Sequence, residues 1–414
     1  MQDKIMFFSS ILFGVLFSFL LFVFCVFALS RFIKPKKSDF EPEVSVVIPA
    51  YNEGTRIKEC LDSVFNSDYP IRKLEVIVVD DGSTDNTLET IKRRKNVRIL
   101  RQSHLGKVEA LNLGVSKASH DFIMSLDADT IVDPQCIKEL LKPFSDISVG
   151  ATTGNNIVKN NKTLISAFQN VEYHHLNLIR NSFSAVFNNG IWFSGSLACY
   201  RKEALEKIGN FKKDTLAEDQ DVALELKKSG YRTINSSTAL GYTVVPSKIR
   251  DLYRQRARWW MGTLQSVIKN RAILLKKASP SVIFLYVSQF WWSLYSFLSL
   301  PIILYQLNYW FPYNSHSTYS IFSYFIKWFS MIGPIYVIYR IPAFGISSYS
   351  IFGVLSGIIT TVISLVALKS FKDKISIKNM LAIFFYFPYT ILLNIIILLS
   401  ILKHRFWEKG SYIK

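Results

Sequence analysis

The sequence predicts an α/β domain with a parallel sheet, carried between membrane-spanning helices. Three observations predict it. Met6 to Ser30 contains no charged residue, residues 281 to 402 carry several further apolar runs, and between them short β-rich runs alternate with amphipathic stretches. Half of the 414 residues are hydrophobic. They concentrate at the two ends, which excludes a water-soluble globule. The 49 basic residues exceed the 31 acidic ones by 18. Such an excess suits nucleic acid, acidic lipid or a phosphorylated ligand, and only its position along the chain separates these.

Taken in order, Met6 to Ser30 is too long for the apolar core of a signal peptide, which runs about 7 to 15 residues. At ~1.5 Å per residue it can cross a hydrocarbon layer of about 30 Å. Arg31, Lys34, Lys36 and Lys37 follow it, whereas only Asp3 and Lys4 precede it. The positive-inside rule therefore puts the N-terminus outside and the chain after Lys37 in the cytoplasm. Cys25, Cys60, Cys136 and Cys199 form no CxxC or Cys/His cluster, which suggests neither zinc nor a disulfide framework.

Beyond the linker with Pro35 and Pro42, the pattern predicts strands at Val44 to Ile48, Leu74 to Val79, Val97 to Leu100 and Phe122 to Leu126. Helices are predicted at Gly54 to Asn66, Thr84 to Arg94 and Lys107 to Lys117. Strands buried on both faces and separated by helices indicate a parallel sheet, with ligands received at the C-terminal strand ends. From Ser281 onward, candidate spans are 281 to 310, 319 to 340, 349 to 368 and 380 to 402. Four crossings return the tail, with Lys403, His404, Arg405 and Lys409, to the cytoplasm. They also place Lys369, Lys372, Lys374 and Lys378 outside, against the charge rule. The second span has Lys327 near its middle and the first is longer than one crossing needs, so either can be interfacial or split.

Asp80-Asp81-Gly82-Ser83-Thr84-Asp85 stands at the end of the second strand. Carboxylates there, with a glycine free to take unusual backbone angles, can receive hydrogen bonds from a base or sugar; a turn capped by Ser83 or Thr84 is the alternative. The fourth strand ends in Asp127-Ala128-Asp129. Two carboxylates at i, i+2 can hold one hard cation together with diphosphate oxygens. Glu218, Asp219 and Asp221 open a third, helical stretch. Glu218 and Asp221 suit a first helical turn as dipole complements, while Asp219 can also serve as a general base.

Five ordered segments carry a resemblance. Val44-Ser45-Val46-Val47-Ile48-Pro49-Ala50-Tyr51-Asn52-Glu53, Val79-Asp80-Asp81-Gly82-Ser83, Leu126-Asp127-Ala128-Asp129 and Ala217-Glu218-Asp219 closely resemble inverting family 2 glycosyltransferases with the GT-A fold. Gln255-Arg256-Ala257-Arg258-Trp259 matches the QxxRW signature of that family's membrane-embedded branch, which includes cellulose, chitin, hyaluronan and poly-N-acetylglucosamine synthases. The likeness covers roughly residues 44 to 265, and the helix layout extends it. The tail Arg405-Phe406-Trp407-Glu408-Lys409 is similar to that of bacterial N-acetylglucosaminyl polymer synthases.

The resemblance implies site residues. Asp80 and Asp81 would hold the uridine end of a UDP-sugar, with Lys107 and Asp127 also near the nucleotide. Asp129 with Asp127 would hold Mg²⁺ or Mn²⁺, and Asp219 would be the catalytic base. A solvated lysine opening a helix is the other reading of Lys107. Trp192-Phe193-Ser194-Gly195-Ser196 resembles the family's FFCGS acceptor motif, with Ser194 where many members have cysteine. Ser194, Gly195, Ser196 and Glu218 thereby join Gln255, Arg258 and Trp259 around the acceptor and diphosphate.

Between Lys248 and Lys277 nine basic residues face one acidic residue, Asp251, while Ile249, Leu252, Tyr253, Trp260, Leu264, Val267 and Ile268 recur at helical spacing. That is an interfacial helix, and nucleic acid is not the partner it predicts. Gln255, Arg258 and Trp259 share one face. An indole offers a plane for a sugar ring, and arginine pairs with phosphate.

The domain layout follows: a membrane helix at 1–31, a basic linker at 32–43, a cytosolic catalytic domain at 44–246, an interface region at 247–280, a membrane region of three or four helices at 281–402, and a basic cytosolic tail at 403–414. The expected protein is a multi-pass glycosyltransferase of the cell membrane. It would move a sugar from UDP-N-acetylglucosamine or UDP-glucose to a growing polysaccharide, in contact with membrane lipids. A non-processive transferase acting on a lipid-linked acceptor is the alternative enzyme. A transporter with a regulatory cytosolic domain is the alternative of another class, and it gives no reason for the acidic motifs.

Overall fold

The computed structural model describes all residues except Met1, 35–37, 276–277, 311–316, 372, 374–375 and 407–414. Helix α1 spans Gln2–Ser30. The chain continues through β1 (Val44–Ala50), α2 (Ile57–Phe65), β2 (Leu74–Asp80), α3 (Thr87–Lys92), β3 (Arg98–Arg101), α4 (Lys107–Lys117) and β4 (Phe122–Leu126). Next come β5 (Ile131–Val132), α5 (Cys136–Leu141), β6 (Val149–Val158), α6 (Leu164–Phe187), β7 (Leu197–Arg201), α7 (Lys202–Lys207), α8 (Glu218–Lys228) and β8 (Arg232–Thr243). Helices α9 (Ile249–Lys269), α10 (Pro280–Trp310), α11 (Thr318–Phe329), α12 (Gly333–Phe344), α13 (Ser348–Ser370), α14 (Ile377–Phe384) and α15 (Tyr386–Phe406) follow.

Among the described residues eight strands form one sheet in the order β3-β2-β1-β4-β7-β6-β8-β5. Alternate side chains of one strand feed different cores. Val44, Val46 and Ile48 pack with Ile57, Leu61 and Leu140, whereas Val47 packs with Leu111, Val115 and Val222 on the opposite face. The parallel sheet expected from the sequence holds for β1 to β4 and again for the β6–β8 pair. Strand β7 enters antiparallel between β4 and β6, which makes the sheet mixed. The strand–helix alternation that demands parallel crossovers ends at β4, and the chain passes through β5, α5, β6 and α6 before β7 returns. At β1 the connections diverge toward β2 and β4, and the crevice beyond those strand ends is where open α/β sheets bind ligands.

The predicted helix at Thr84 to Arg94 begins three residues late, at Thr87. Asp85 accepts from the Thr87 backbone N–H at 3.0 Å, and Asn52 Oδ1 accepts from the Thr84 N–H at 2.9 Å. Residues 82–86 are thus a loop fastened to the end of β1.

Among the described residues four helices have segments long and apolar enough to cross a membrane: Met6–Ser30, Pro280–Leu304, Ser350–Ser370 and Tyr386–Lys403. Helices α11 and α12 pass the same test only together, across a bend of 100°. The segment expected as one span at 319 to 340 is therefore a sharply bent helix pair, a broken span or a re-entrant loop. The span expected at 380 to 402 divides into α14 and α15. The two breaks meet, and the Met331 N–H donates to Phe384 O at 2.8 Å, which satisfies backbone groups that lipid cannot.

Helix direction corrects one expectation. Ser348 and Ser10 hydroxyls are 3.0 Å apart and Phe17 stacks on Phe352, while Ile363 and Ala367 pack with Phe24 and Phe27. Helices α1 and α13 therefore run parallel. Phe284 packs against Phe19 and Phe22, and Tyr295 against Leu12 and Leu16, so α10 runs the other way. Lys369 thus lies at the end of the bundle that carries the catalytic domain, where Lys378 Nζ donates to Lys162 O at 2.8 Å. The sequence-based count, which put these lysines on the far side, treated 319 to 340 as a full crossing. Lys372 and Lys374 lie outside the described residues, as do Lys36, Lys37, Lys276, Lys277 and the Trp407-Glu408-Lys409 end of the tail.

Candidate active site

Asp80 and Asp81 close β2. Asp80 is fully buried; its Oδ1 accepts from the Ser83 N–H at 3.1 Å and its Oδ2 lies 3.2 Å from Arg101 Nε. Asp81 accepts from Gln102 Nε2 at 2.6 Å and from the Leu105 and Gly106 N–H groups at 2.9 Å, with His104 Nδ1 at 2.8 Å. Burial opposes its charge, but these donors hold the carboxyl below its usual range. Both aspartates thus organise the loop, and the group they present outward is the Tyr51–His104 stack at 3.9 Å.

The other acidic motifs converge. Lys107 opens α4, and its Nζ lies 2.7 Å from Asp127 Oδ1 and 3.2 Å from Glu218 Oε1. Burial disfavours its charge, but Asp127 and Glu218 outweigh this and hold the ammonium protonated well above its usual range. It opens the helix as a part-exposed bridge between two motifs. Burial, then Asp127, push the Asp129 carboxyl up. The Asp127 N–H donates to Ser196 O at 3.1 Å, which ties this loop to the Trp192–Ser196 segment.

Glu218 and Asp219 start α8. Glu218 is buried, yet Lys107 and Arg258 keep its carboxyl below the usual range. Asp219 goes the other way: burial first, then the Glu218 charge, push it up. Its Oδ2 accepts from the Gly195 N–H at 2.7 Å and its Oδ1 from the Gln220 N–H at 2.8 Å. A Cβ on Gly195 would meet Asp219 Cβ at 2.7 Å. Only glycine allows this approach, so Gly195→Ala is expected to displace Asp219 and cut turnover by about 10²-fold, measured as kcat with folding checked by thermal unfolding. Gln220 Oε1 accepts from the Phe193 N–H at 2.8 Å, and Trp192 is held at φ 38 with its ring against Phe284.

Asn156 on β6 was not singled out from the sequence. Its Nδ2 donates to Ser194 Oγ at 3.1 Å and Ser196 Oγ at 2.8 Å, so the serine hydroxyls are oriented by β6. Nothing in the Gly-Asn-Asn run signals this, because the partners come from another loop.

Helix α9 packs its second half on the start of α8. Gln265 Oε1 accepts from the Leu216 N–H at 2.9 Å, and Lys269 Nζ lies 2.6 Å from Asp221 Oδ2. Asp221 is therefore a fastening between helices. Gln255, Arg258 and Trp259 line one cavity with Lys107, Asp127 and Asp219. The cavity, of about 1370 Å³, continues past Tyr386 to Ser350 and Ser9 among the apolar helices. Of the sequence-predicted site residues, Asp80, Asp81 and Gly195 are not in its wall.

Residues 45–209 match the family model described as Glycosyl transferase family 2. The chain is 32% identical over 251 residues to the poly-beta-1,6-N-acetyl-D-glucosamine synthase of Staphylococcus aureus (strain COL), covering 58% of this chain and 60% of that one. The synthase of the same name from Staphylococcus epidermidis is 31% identical over 253 residues, covering 59% and 60%. The chain thus spans about 60% of the length of these curated relatives. Among solved structures, the mannosyltransferase PcManGT from Pyrobaculum calidifontis, in complex with GDP-Man and Mn2+, superposes with a TM-score of 0.63. It is 21% identical, with 98% of this chain and 100% of that one covered, a likeness of fold that agrees with the GT-A architecture implied by the motifs. Within the matched residues fall Asp80, Asp81, Lys107, Asp127, Asp129 and the Trp192–Ser196 segment, whereas Asp219 and the Gln255–Trp259 motif lie beyond them.

Proposed function

We propose that the chain is an inverting glycosyltransferase that moves a sugar from a UDP-sugar to a growing polysaccharide at the membrane. UDP-N-acetylglucosamine is the first choice of donor and UDP-glucose the second. The observation that carries this reading is the convergence of Asp219, Lys107, Asp127 and Trp259 on one cavity that continues among the apolar helices. A cavity of this course suits a polymer more than a single added sugar.

In the proposed reaction Asp219 takes the proton of the acceptor hydroxyl. The hydroxyl oxygen forms a bond to the anomeric carbon from the face opposite UDP. The bond from that carbon to the diphosphate oxygen breaks, and its electron pair leaves on the UDP, so the configuration inverts. Arg258 and Lys107 act where this negative charge develops. Asp129 with Asp127 would hold Mg²⁺ or Mn²⁺. The fit is reasonable: Asp127 raises the Asp129 carboxyl, a repulsion that a cation relieves. Among the described residues no group of three or more His, Cys, Asp or Glu could hold a metal, so diphosphate oxygens and water would complete the shell. When bound, the ion supplies neutralisation of the leaving diphosphate.

Lys369 and Lys378 beside the catalytic domain, with the basic α9, support a cytosolic catalytic domain in a multi-pass protein of the cell membrane. Its partners are then the UDP-sugar, the polysaccharide acceptor and membrane lipids, with no role for nucleic acid. The test is UDP release by the purified protein from a panel of UDP-sugars, with the product sized and the reaction repeated with EDTA. Release from UDP-N-acetylglucosamine, a long product, and loss with EDTA reversed by Mg²⁺ or Mn²⁺ are expected. No release from any UDP-sugar sinks the reading.

A further inference from the structure

Within the Gln255–Trp259 segment, the buried cation is Arg256, which is only 7% exposed, while Arg258 is exposed. Its Nε and Nη2 donate to the two carboxylate oxygens of Glu172 on α6, at 3.0 and 2.8 Å. Its Nη1 donates to Gln255 Oε1 at 2.6 Å, and the guanidinium carbon lies 4.4 Å from the Trp259 ring centre and 5.8 Å from that of Tyr173. The Tyr389 hydroxyl on α15 donates to Glu172 Oε2.

This arrangement does more than join helices. Burying two charges is costly, and an apolar pair of the same volume would hold α6 to α9 at least as well. A bidentate pair instead fixes the plane of the guanidinium. The remaining contacts of that plane go to the two motif residues argued to meet the acceptor: a hydrogen bond to Gln255 and a face-on cation for the indole of Trp259. The cation lies over the indole, and Trp259 lines the cavity in which the acceptor would sit.

We propose that the Glu172–Arg256 ion pair is a positioning device for the acceptor platform. It sets Gln255 and the plane of Trp259, and through Tyr389 it ties both to helix α15. Arg256 and Glu172 are positioning residues that act through Trp259. The proposal rests on the reading of Trp259 as the acceptor platform.

The test uses the full-length protein in detergent, with Arg256→Lys and Glu172→Gln. Lysine keeps the charge but loses the planar fork. With UDP-N-acetylglucosamine and a short N-acetylglucosamine oligosaccharide, both variants are expected to raise the acceptor KM by about tenfold or more. Acceptor-free hydrolysis of the donor, and the donor KM, should stay within about twofold. An equal fall in transfer and hydrolysis, or no change in acceptor KM, overturns the proposal. A second readout needs no activity: the emission of Trp259, isolated by subtracting the spectrum of Trp259→Phe, should shift in Arg256→Lys. An unchanged emission overturns the proposal as well. Failure of the wild type to release UDP from any UDP-sugar sinks the transferase reading alone, and the emission measurement then decides the ion pair.

Discussion

Asp219→Asn is expected to lower glycosyl transfer by about 10²- to 10⁴-fold while UDP affinity stays within about twofold. The substitution preserves shape and removes the basic oxygen pair. Asp219 is poised for the role by opposing influences: burial and Glu218 favour its protonated form, while the Gly195 and Gln220 N–H groups and Lys107 favour the carboxylate. An asparagine oxygen can still accept from one of those N–H groups, but its amide nitrogen cannot accept from the other. The side chain therefore stays near its place, and the loss falls on the chemical step. In the proposed reaction Asp219 meets the acceptor and not the nucleotide, so UDP affinity is expected to be spared. Steady-state kcat by UDP release and UDP binding by calorimetry separate the two effects. Near-normal turnover with normal UDP binding removes Asp219 from the base role.

The site was legible where chemistry and strand ends coincide. The predicted strand Phe122–Leu126 and helix Lys107–Lys117 match β4 and α4. A short run apolar on both faces that stops at a polar turn reads as a buried strand, and Gly106 at φ 97 opens the helix. Strand β6 and helix α6 were not legible. Thr152, Thr153, Asn155 and Asn156 on β6 are buried, and so are Asn170, His174, Asn177 and Arg180 on α6. Many of their polar groups pair with one another and with neighbouring loops, as when Arg180 donates to Thr153 Oγ1 at 3.0 Å and Asn177 to Asn156 O at 2.8 Å. Such segments invert the apolar pattern from which elements are read. Glu172 and Arg256 escaped for a different reason, since 84 residues separate them. Hydropathy counted apolar runs but not their direction, which only the packing of α13 beside α1 supplies.

Lys107→Met carries the second large effect, with two signatures that share one cause. Lys107 is the cation between Asp127 and Glu218, and its charge also lowers the Asp219 carboxyl. Methionine keeps an unbranched apolar stem but leaves these three carboxylates without it. Loss of a cation at the developing diphosphate charge is expected to cut kcat by about 10²- to 10³-fold. The sign of the pH effect follows from Asp219. Its carboxyl is raised above the ordinary value, so the active carboxylate is present above that raised pKa and is lost as pH falls through it. Removing Lys107 takes away one of the influences holding the carboxyl down, which moves the acid limb of kcat to still higher pH. Glu218, held down by Lys107 despite burial, loses that support in the same variant, and where it takes up a proton its repulsion of Asp219 disappears and the shift is smaller. The check is a pair of pH–rate profiles, wild type and Lys107→Met, at saturating donor. A lower kcat with an unmoved acid limb would leave Lys107 a role on the diphosphate but none on the base, and the bridge between the two motifs would then be structural alone.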